Sequence, residues 1–500
     1  MYDVCCASEM AEIDSWMINE IGIPSVVLME NAGQAVVSAM FDYWGMANVC
    51  ESGPVAVVCG TGNNGADGLV VARKLVSYGA TVDVFIIGKY SEFRSEEGKC
   101  NLKILKKFCK SVRFEVIEGL NTYSYIVDAL LGGLGVPDKI VCGAISMINA
   151  ARGRVVSVDV PSGCVHATDT CVRANLTVTF GAIKSEILFY PGNSFVGKLV
   201  FAPISFIAGK TSMRLISVPK LPIRDPNGHK GSFGKGLLMC GSAGYFGAPL
   251  FTTRSFLKSG GGYAFLHCKD LCVQNSIAVT CPEIVTRAFD GEVNVAIVGP
   301  GIGVDNVSLF QQALATRCDC GLVIDGDALT ILSSHPDMWS CLQQKRRPVI
   351  LTPHLGELGR LFPATLATEN FYEKILLVKQ ILSPQDDEVI IVMKGSRTAV
   401  LSNKNPCVYI NVTGNSGMAT PGSGDVLVGI IAALLCAKTN THTAVCNAVF
   451  IHGLAGDIAK ETCGEDGMLA SDIMEAIPAA IIRVRTDPES VARSVFPSRV

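Results

Sequence analysis

Twice along this chain, short runs rich in β-branched residues alternate with glycine turns and amphipathic stretches, and that rhythm leaves few folds open. In the first series Val55 to Cys59, Thr81 to Ile87, Tyr125 to Asp128 and Val155 to Asp159 read as buried strands, with Asp67 to Tyr78 and Ser95 to Lys110 as helices. The second series runs through Gly236 to Cys240, Tyr263 to His267, Val295 to Val298, Leu322 to Asp325, Val349 to Leu351 and Val389 to Met393. It closes on helical Asp425 to Ala437, Thr443 to Lys460 and Ser471 to Ile482. Strands that alternate with helices are parallel and covered on both faces, so each series predicts an α/β domain. Lys210 to Gly228, with Pro219, Pro222 and Pro226, separates them. The expected division is a first domain over 1–209, a linker over 210–223 and a second domain over 224–500.

Composition removes several classes of function. With 49% hydrophobic and 17% charged residues the chain can bury sizeable cores. A net charge of only -3, with no block of like charges, gives neither a nucleic-acid footprint nor a polybasic membrane patch, so the expected partner is a small molecule. The longest apolar run, Val426 to Ala437, falls short of the roughly 20 residues of a spanning helix and reads as a buried one. The acidic start around Glu9, Glu12 and Asp14 lacks the basic, apolar or Arg-rich pattern of a leader, so a cytoplasmic location is expected. Twenty cysteines are scattered without a CxxC pair and read mostly as reduced core residues.

In the first half Gly60-Thr61-Gly62-Asn63-Asn64-Gly65-Ala66-Asp67-Gly68 follows a strand and opens a helix, the arrangement of an anion cradle. The GxGxxG spacing alone is weak, and a plain turn explains it as well. Two further polar loops follow strand ends: Asp128 with Gly132-Gly133-Leu134-Gly135, and Asp159-Val160-Pro161-Ser162-Gly163. Carboxyl ends of parallel strands converge on one crevice, so the three loops are expected to share a site. Asn64, Asp128 and Ser162 supply hard oxygen donors suited to an alkali or alkaline-earth ion, and Asp159 is a candidate proton shuttle.

These motifs, with Gly22-Ile23-Pro24, Leu28-Met29-Glu30-Asn31-Ala32-Gly33, Thr177-Val178-Thr179-Phe180-Gly181 and Lys184, resemble the NAD(P)HX epimerase family over about residues 8 to 208. The resemblance implies a Rossmann-like domain that binds hydrated NADH or NADPH and a potassium ion (K+), the ion held by Asn64, Asp128 and Ser162. It implies substrate contacts from Asn63, Asn64, Gly65, Ala66 and Asp67, from Gly132, Gly133, Leu134, Gly135, Val136, Pro137 and Asp138, and from Asp159, which is also the implied catalytic group. Two positions depart from the family pattern: Ala66 stands where glycine is usual, and Leu134 occupies the second glycine loop.

In the second half a long loop, Asn411 to Gly424, runs into Asp425 and then directly into the apolar helix. Amides of Gly422, Ser423, Gly424 and Asp425 at a helix N-terminus favour an anion, and Asp425 is placed as general base for a hydroxyl during phosphoryl transfer. No GxxxxGK[ST] motif occurs, which disfavours a Walker-type ATPase. The loop resembles the ribokinase-like superfamily. His229-Lys230-Gly231, Gly241-Ser242 with Gly247-Ala248, Val298 to Gly303, Asp325 to Leu329, Leu351 to His354 with Glu357, and Lys394-Gly395-Ser396 narrow the resemblance to ADP/ATP-dependent NAD(P)HX dehydratases over about residues 224 to 485. That family implies substrate contacts at Ala248, Gly303, His354 and Asp425, and nucleotide contacts at Lys394, Gly395, Ser396, Arg397, Thr398, Asn415, Gly422, Ser423 and Gly424. Pro421 replaces a flexible residue of that loop.

The expected protein is therefore an enzyme that epimerises the R and S hydrates of NADH and NADPH. It would dehydrate the S hydrate with ADP or ATP and Mg2+ through a phosphorylated intermediate, as a homo-oligomer. The competing expectation is a ribokinase-like small-molecule kinase whose first domain is a non-catalytic ligand-binding or interaction module. A kinase would leave a stable phosphorylated product; the dehydratase releases phosphate.

Overall fold

Every residue of Val55–Cys59, Tyr125–Ala129 and Leu176–Phe180 is buried, the pattern of strands covered on both faces. The computed structural model describes residues 2–500 apart from 94, 110, 116, 167–169, 287–290, 343–346, 383–386 and 438. It divides the chain into Tyr2–Ser212 with Pro497–Val500, and Met213–Phe496. The segment expected as a linker is therefore partly structured: Met213–Leu215 is a strand paired with Val408–Ile410. The tail expected in the second domain instead adds Ser498–Arg499 to the first sheet beside Lys198–Ala202. Strands of two or three residues carry too little periodicity to be read from sequence.

In the first unit all paired strands of the larger sheet are parallel. Their order is Ser498–Arg499, Lys198–Ala202, Leu176–Phe180, Arg154–Val158, Tyr125–Ala129, Val55–Cys59, Val82–Ile86 and Ser111–Phe114. The chain changes direction across the sheet between Val55–Cys59 and Tyr125–Ala129, the kind of switch point at which loops part and leave a crevice. Gly60 makes this close approach possible, because a Cβ there would lie 2.1 Å from the Leu130 carbonyl oxygen. The helix Asn63–Ser77 begins at that junction. The helix Glu96–Phe108 is capped by Ser95, whose Oγ accepts from Gly98 N at 3.2 Å; Lys110, where the sequence placed its end, lies outside the described residues.

The second unit runs Tyr263–His267, Lys235–Met239, Val293–Val298, Cys318–Ile324, Val349–Leu351 and Val389–Met393, all parallel. Ala399–Ser402 and Val408–Ile410 then continue it as an antiparallel meander. The helix Ser423–Leu435 buries nearly its whole length, which explains the apolar run: it is central to the core. Gly429 lets the helix Gly247–Lys258 pack against it, since a Cβ at Gly429 would meet the Thr252 carbonyl oxygen at 2.4 Å. Among the described residues no helix is long and apolar enough to cross a membrane. All twenty cysteines lie outside any disulfide.

Candidate active sites

In the first unit the loops after four adjacent strands bring the expected groups together. Asn63, Asn64, Asp67, Gly132, Asp159 and Lys184 line one cavity of about 300 Å3. It adjoins a wider cleft of about 980 Å3 that shares several of these residues and is also bordered by Gly60 to Gly62, Leu134, Val136 and Asp138. Gly65 and Ala66 do not line either one. In the first helical turn each residue is rotated by 100°, so Asn63, Asn64 and Asp67 face the cavity while Gly65 and Ala66 turn inward. The Ala66 methyl is fully buried in a cluster with Met29 and Val70, which answers the glycine-to-alanine departure: the change fills core, not the cleft. Leu134 is well exposed at the cleft rim. Asp138 caps the helix Lys139–Ala150, one carboxylate oxygen accepting from Ile140 N at 2.9 Å and Val141 N at 2.8 Å. Pro137 lies outside the lining and only leads into that cap.

Asn64, Asp128 and Ser162 meet around Leu131. Asn64 Nδ2 donates to the Leu131 carbonyl at 3.0 Å, and Leu131 N donates to Ser162 Oγ at 2.9 Å. The Asp128 carboxylate is fully buried and accepts four hydrogen bonds, from Ser157 Oγ, Ser162 N, Ser162 Oγ and Leu130 N, at 2.6 to 3.3 Å. Burial pushes its carboxyl above the ordinary value although these bonds favour the charged form. Among the described residues no cation pairs with it. An oxygen-only donor set around an uncompensated buried carboxylate fits a hard cation and offers nothing to a soft metal.

Asp159 is held in the left-handed region, φ +66, where aspartate is among the few residues tolerated. One carboxylate oxygen accepts from Phe180 N at 3.1 Å and Thr179 Oγ1 at 3.2 Å, and forms an ion pair with the buried Lys184. Lys184 is fixed in turn by donating to the Phe180 carbonyl at 2.6 Å. The sequence pointed to Lys184 only within a family motif; the ion pair spans two loops. Asp14, on the helix Ala7–Asn19, also lines the cavity and was not anticipated. One acid beside Glu9 and Glu12 looks like part of a solvated face.

In the second unit the sheet again delivers its polar residues at carboxyl ends. Asp325 follows Cys318–Ile324 and accepts from Thr352 Oγ1 at 2.6 Å and Lys394 Nζ at 2.8 Å. Lys394 follows Val389–Met393, and its backbone N donates to the Pro353 carbonyl at 2.9 Å, beside His354. Burial alone would lower the Lys394 ammonium, yet Asp325, Glu357 and Asp425 together hold it above its usual value. Lys394 lies against the glycine loop: a Cβ at Gly424 would stand 3.3 Å from its Nζ. Gly422, at φ +93, is the N-cap of the helix Ser423–Leu435.

Asp425 occupies the first turn of that helix. Burial, then Asp325, pushes its carboxyl up to about 7. Asp327 accepts from Gly303 N at 2.8 Å, which ties the glycine turn after Val293–Val298 to the same group of acids. Ala248 sits next to that turn, 3.2 Å from where a Cβ on Gly301 would be. His354 caps the helix Leu355–Leu361: its Nδ1 accepts from Gly356 N at 3.0 Å and Glu357 N at 3.3 Å. Burial, with Lys394 and Arg360 nearby, lowers its pKa and keeps the ring neutral, with Nε2 towards Glu357.

The residues expected to contact the nucleotide divide into two sorts. Gly395 and Ser396 are exposed and open to a ligand, and Gly422, Ser423 and Gly424 form the helix start. Asn415 is committed inside the loop, donating to Asp457 at 3.0 Å and accepting from Gly417 N at 3.1 Å. Arg397 Nη1 donates to the Val412 carbonyl at 3.4 Å and Thr398 Oγ1 to the Gly395 carbonyl at 3.3 Å, so both brace neighbouring backbone. Asp457, which also accepts from Gly414 N at 2.8 Å, anchors the loop start; Gly456-Asp457, with His452-Gly453, belongs to the motifs of the dehydratase resemblance, but the contact itself is not visible in sequence. Pro421 is exposed in the turn before Gly422.

Two α/β units, each with a polar crevice at the carboxyl ends of a parallel sheet, one acid-lined and one built on a helix N-terminus, define a two-site enzyme class. A family described as NAD(P)H-hydrate dehydratase matches residues 236–479, and one described as YjeF-related protein N-terminus matches residues 25–186. The bifunctional NAD(P)H-hydrate repair enzyme of Thermofilum pendens is 35% identical, over 98% of this chain and 98% of that one. Its counterpart in Moorella thermoacetica is 32% identical over 97% and 98%. A structure of the ADP/ATP-dependent NAD(P)H-hydrate dehydratase of Bacillus subtilis, co-crystallized with ATP/Mg2+, is 26% identical, covers 53% of this chain and 94% of that one, and has a TM-score of 0.46. The chain belongs to the family of bifunctional NAD(P)H-hydrate repair enzymes.

Proposed function

We propose that the two crevices run successive steps of one repair reaction. The first interconverts the R and S hydrates of NADH and NADPH. The second phosphorylates the ring hydroxyl of the S hydrate with ADP or ATP, and phosphate then leaves to restore the dihydronicotinamide. The observation that carries the reading is Asp425: a carboxyl raised to about 7 at the start of a buried helix, beside the Asp325–Lys394 pair. Near neutral pH such a group can take a hydroxyl proton. The amides of Gly422 to Asp425 and the helix dipole stabilise the phosphoryl oxygens, while Lys394, Gly395 and Ser396 border the nucleotide. Mg2+ carried on the nucleotide supplies neutralisation of phosphate charge. A hydroxyl leaves poorly and phosphate leaves well, which is the chemical reason for spending a nucleotide.

In the first crevice Asp159, oriented by Thr179, Phe180 N and Lys184, moves the proton at the hydrated ring. Asn64, Asp128 and Ser162 would hold K+, whose contribution is to neutralise the buried Asp128 charge and keep three loops in register. The test is a product balance. S hydrate incubated with ATP and Mg2+ releases one inorganic phosphate per reduced nicotinamide restored; a stable phosphorylated product with no gain in reduced-nicotinamide absorbance contradicts the reading and supports a kinase.

A further inference from the structure

The acid-lined cavity of the first unit holds more ionisable groups than the Asp159–Lys184 pair accounts for. Met10, Asp14 and Ile18 recur every four residues along the helix Ala7–Asn19, so they form one stripe, and all three line the cavity with Asp67, Asp159 and Lys184. Met10 and Ile18 supply apolar wall; between them the only acid of that stripe faces the reaction space. Among the described residues Asp14 and Asp67 have no hydrogen-bond partner, whereas Asp159 is tethered through one oxygen, Oδ1, by Thr179, Phe180 and Lys184. One cavity therefore contains two tethered carboxylates, Asp159 and Glu97, the latter accepting from Ser25 Oγ, and two untethered ones.

We propose that Asp14 is a second catalytic acid of the epimerisation site, donating a proton to the ring hydroxyl as it departs; the proposal rests on the reading of this crevice as the epimerase centre. Four carboxylates, Asp14, Asp67, Glu97 and Asp159, and one ammonium around about 300 Å3 cannot all ionise cheaply, so protons are retained. Burial, with Asp159 adding to it and Lys184 opposing, pushes the Asp14 carboxyl up to about 6, and burial with Asp159 and Asp14 pushes the Asp67 carboxyl in the same direction.

The hydrate carries its hydroxyl on the ring carbon bonded to nitrogen. The Asp14 carboxyl gives its proton to that oxygen, the C–O bond breaks, and the nitrogen lone pair forms the C=N bond of a cationic iminium as water leaves. The remaining carboxylates stabilise that cation. Water then adds to the other face, its oxygen forming the new C–O bond and the C=N pair returning to nitrogen. The proton released passes to Asp159, and exchange with solvent reprotonates Asp14. Water is lost and regained, so the balance closes without any co-reactant.

The experiment follows conversion of the separated R hydrate by chromatography, across pH, in the intact chain and in the Asp14→Asn, Asp14→Glu and Asp159→Ala variants. Asp14→Asn is expected to lower kcat about 100-fold with KM within threefold. It should also remove the fall in rate as pH rises through the Asp14 range, and Asp14→Glu should recover at least tenfold of the loss. Asp14→Asn turning over within threefold of the parent, or losing activity with the shape of the pH profile unchanged and no recovery in Asp14→Glu, overturns the proposal. A parent chain that, like Asp159→Ala, is no faster than spontaneous epimerisation overturns the epimerase reading itself and the proposal with it.

Discussion

Asp128 and Asp325 both stand at the carboxyl end of a buried parallel strand beside a crevice, yet the chain compensates the two charges differently. Asp325 has its own cation, Lys394, at 2.8 Å and from a strand end 69 residues away. Asp128 has four neutral donors and, among the described residues, no cation. A built-in ammonium gives a site that is complete without a resident ion. A buried carboxylate met, among the described residues, by neutral donors alone gives one whose charge an ion from solution could neutralise. On the proposed reading the second site takes a nucleotide that arrives with its own metal, and the first a resident alkali ion.

The largest test of this contrast is Asp425→Asn, expected to lower S-hydrate dehydration by at least 1,000-fold, read as recovery of reduced-nicotinamide absorbance, while R and S hydrates still interconvert. Loss of both activities would mean that the two crevices do not act independently. Next, Lys394→Met leaves Asp325 buried without its cation and should destabilise the second unit by about 3 kcal/mol in urea unfolding, whatever the potassium concentration. Replacing K+ by a bulky quaternary ammonium is the matching test of the first unit. Epimerisation should fall about tenfold and the first thermal transition should drop, with dehydration of S hydrate unchanged.

The pH dependence distinguishes the sites further. Asp425 has a folded pKa raised from 3.8 to about 7, so its ionised, proton-accepting form grows as pH rises through 7. Dehydration kcat is expected to rise across that window. The same shift lowers stability as pH rises from the unfolded carboxylate range to about 7, because the folded state then must give up a proton it holds more tightly than the unfolded chain does. The smallest effect is Ala66→Gly. Its methyl packs on Met29 and Val70, so epimerisation should stay within threefold of the parent while stability falls about 1 kcal/mol.

Much of this was legible because parallel α/β sheets put function at strand ends, where glycine and carboxylate follow a β-branched run. Gly60 to Asn64, Asp128, Asp159, Asp325 and the loop before Asp425 all stand out in that way. What could not be read depends on contacts distant in sequence. Lys394 finds Asp325, Asp457 clamps Gly414 and Asn415, and Ser498–Arg499 returns to the first sheet. Asp14 was hidden for another reason: only the rotation of its helix distinguishes it from Glu9 and Glu12. Asp138, Pro137, Gly65 and Ala66 show the converse, since a family contact stretch read as a block includes residues whose geometry serves helix capping and core packing.

The central claim, two coupled steps with a nucleotide needed for only one of them, is tested most directly with separated hydrates. S hydrate should be restored to reduced nicotinamide only when nucleotide and Mg2+ are present. R hydrate should become S hydrate without nucleotide and reach the reduced form only with it. Failure of S hydrate to be restored in the presence of ADP or ATP and Mg2+ would contradict the account.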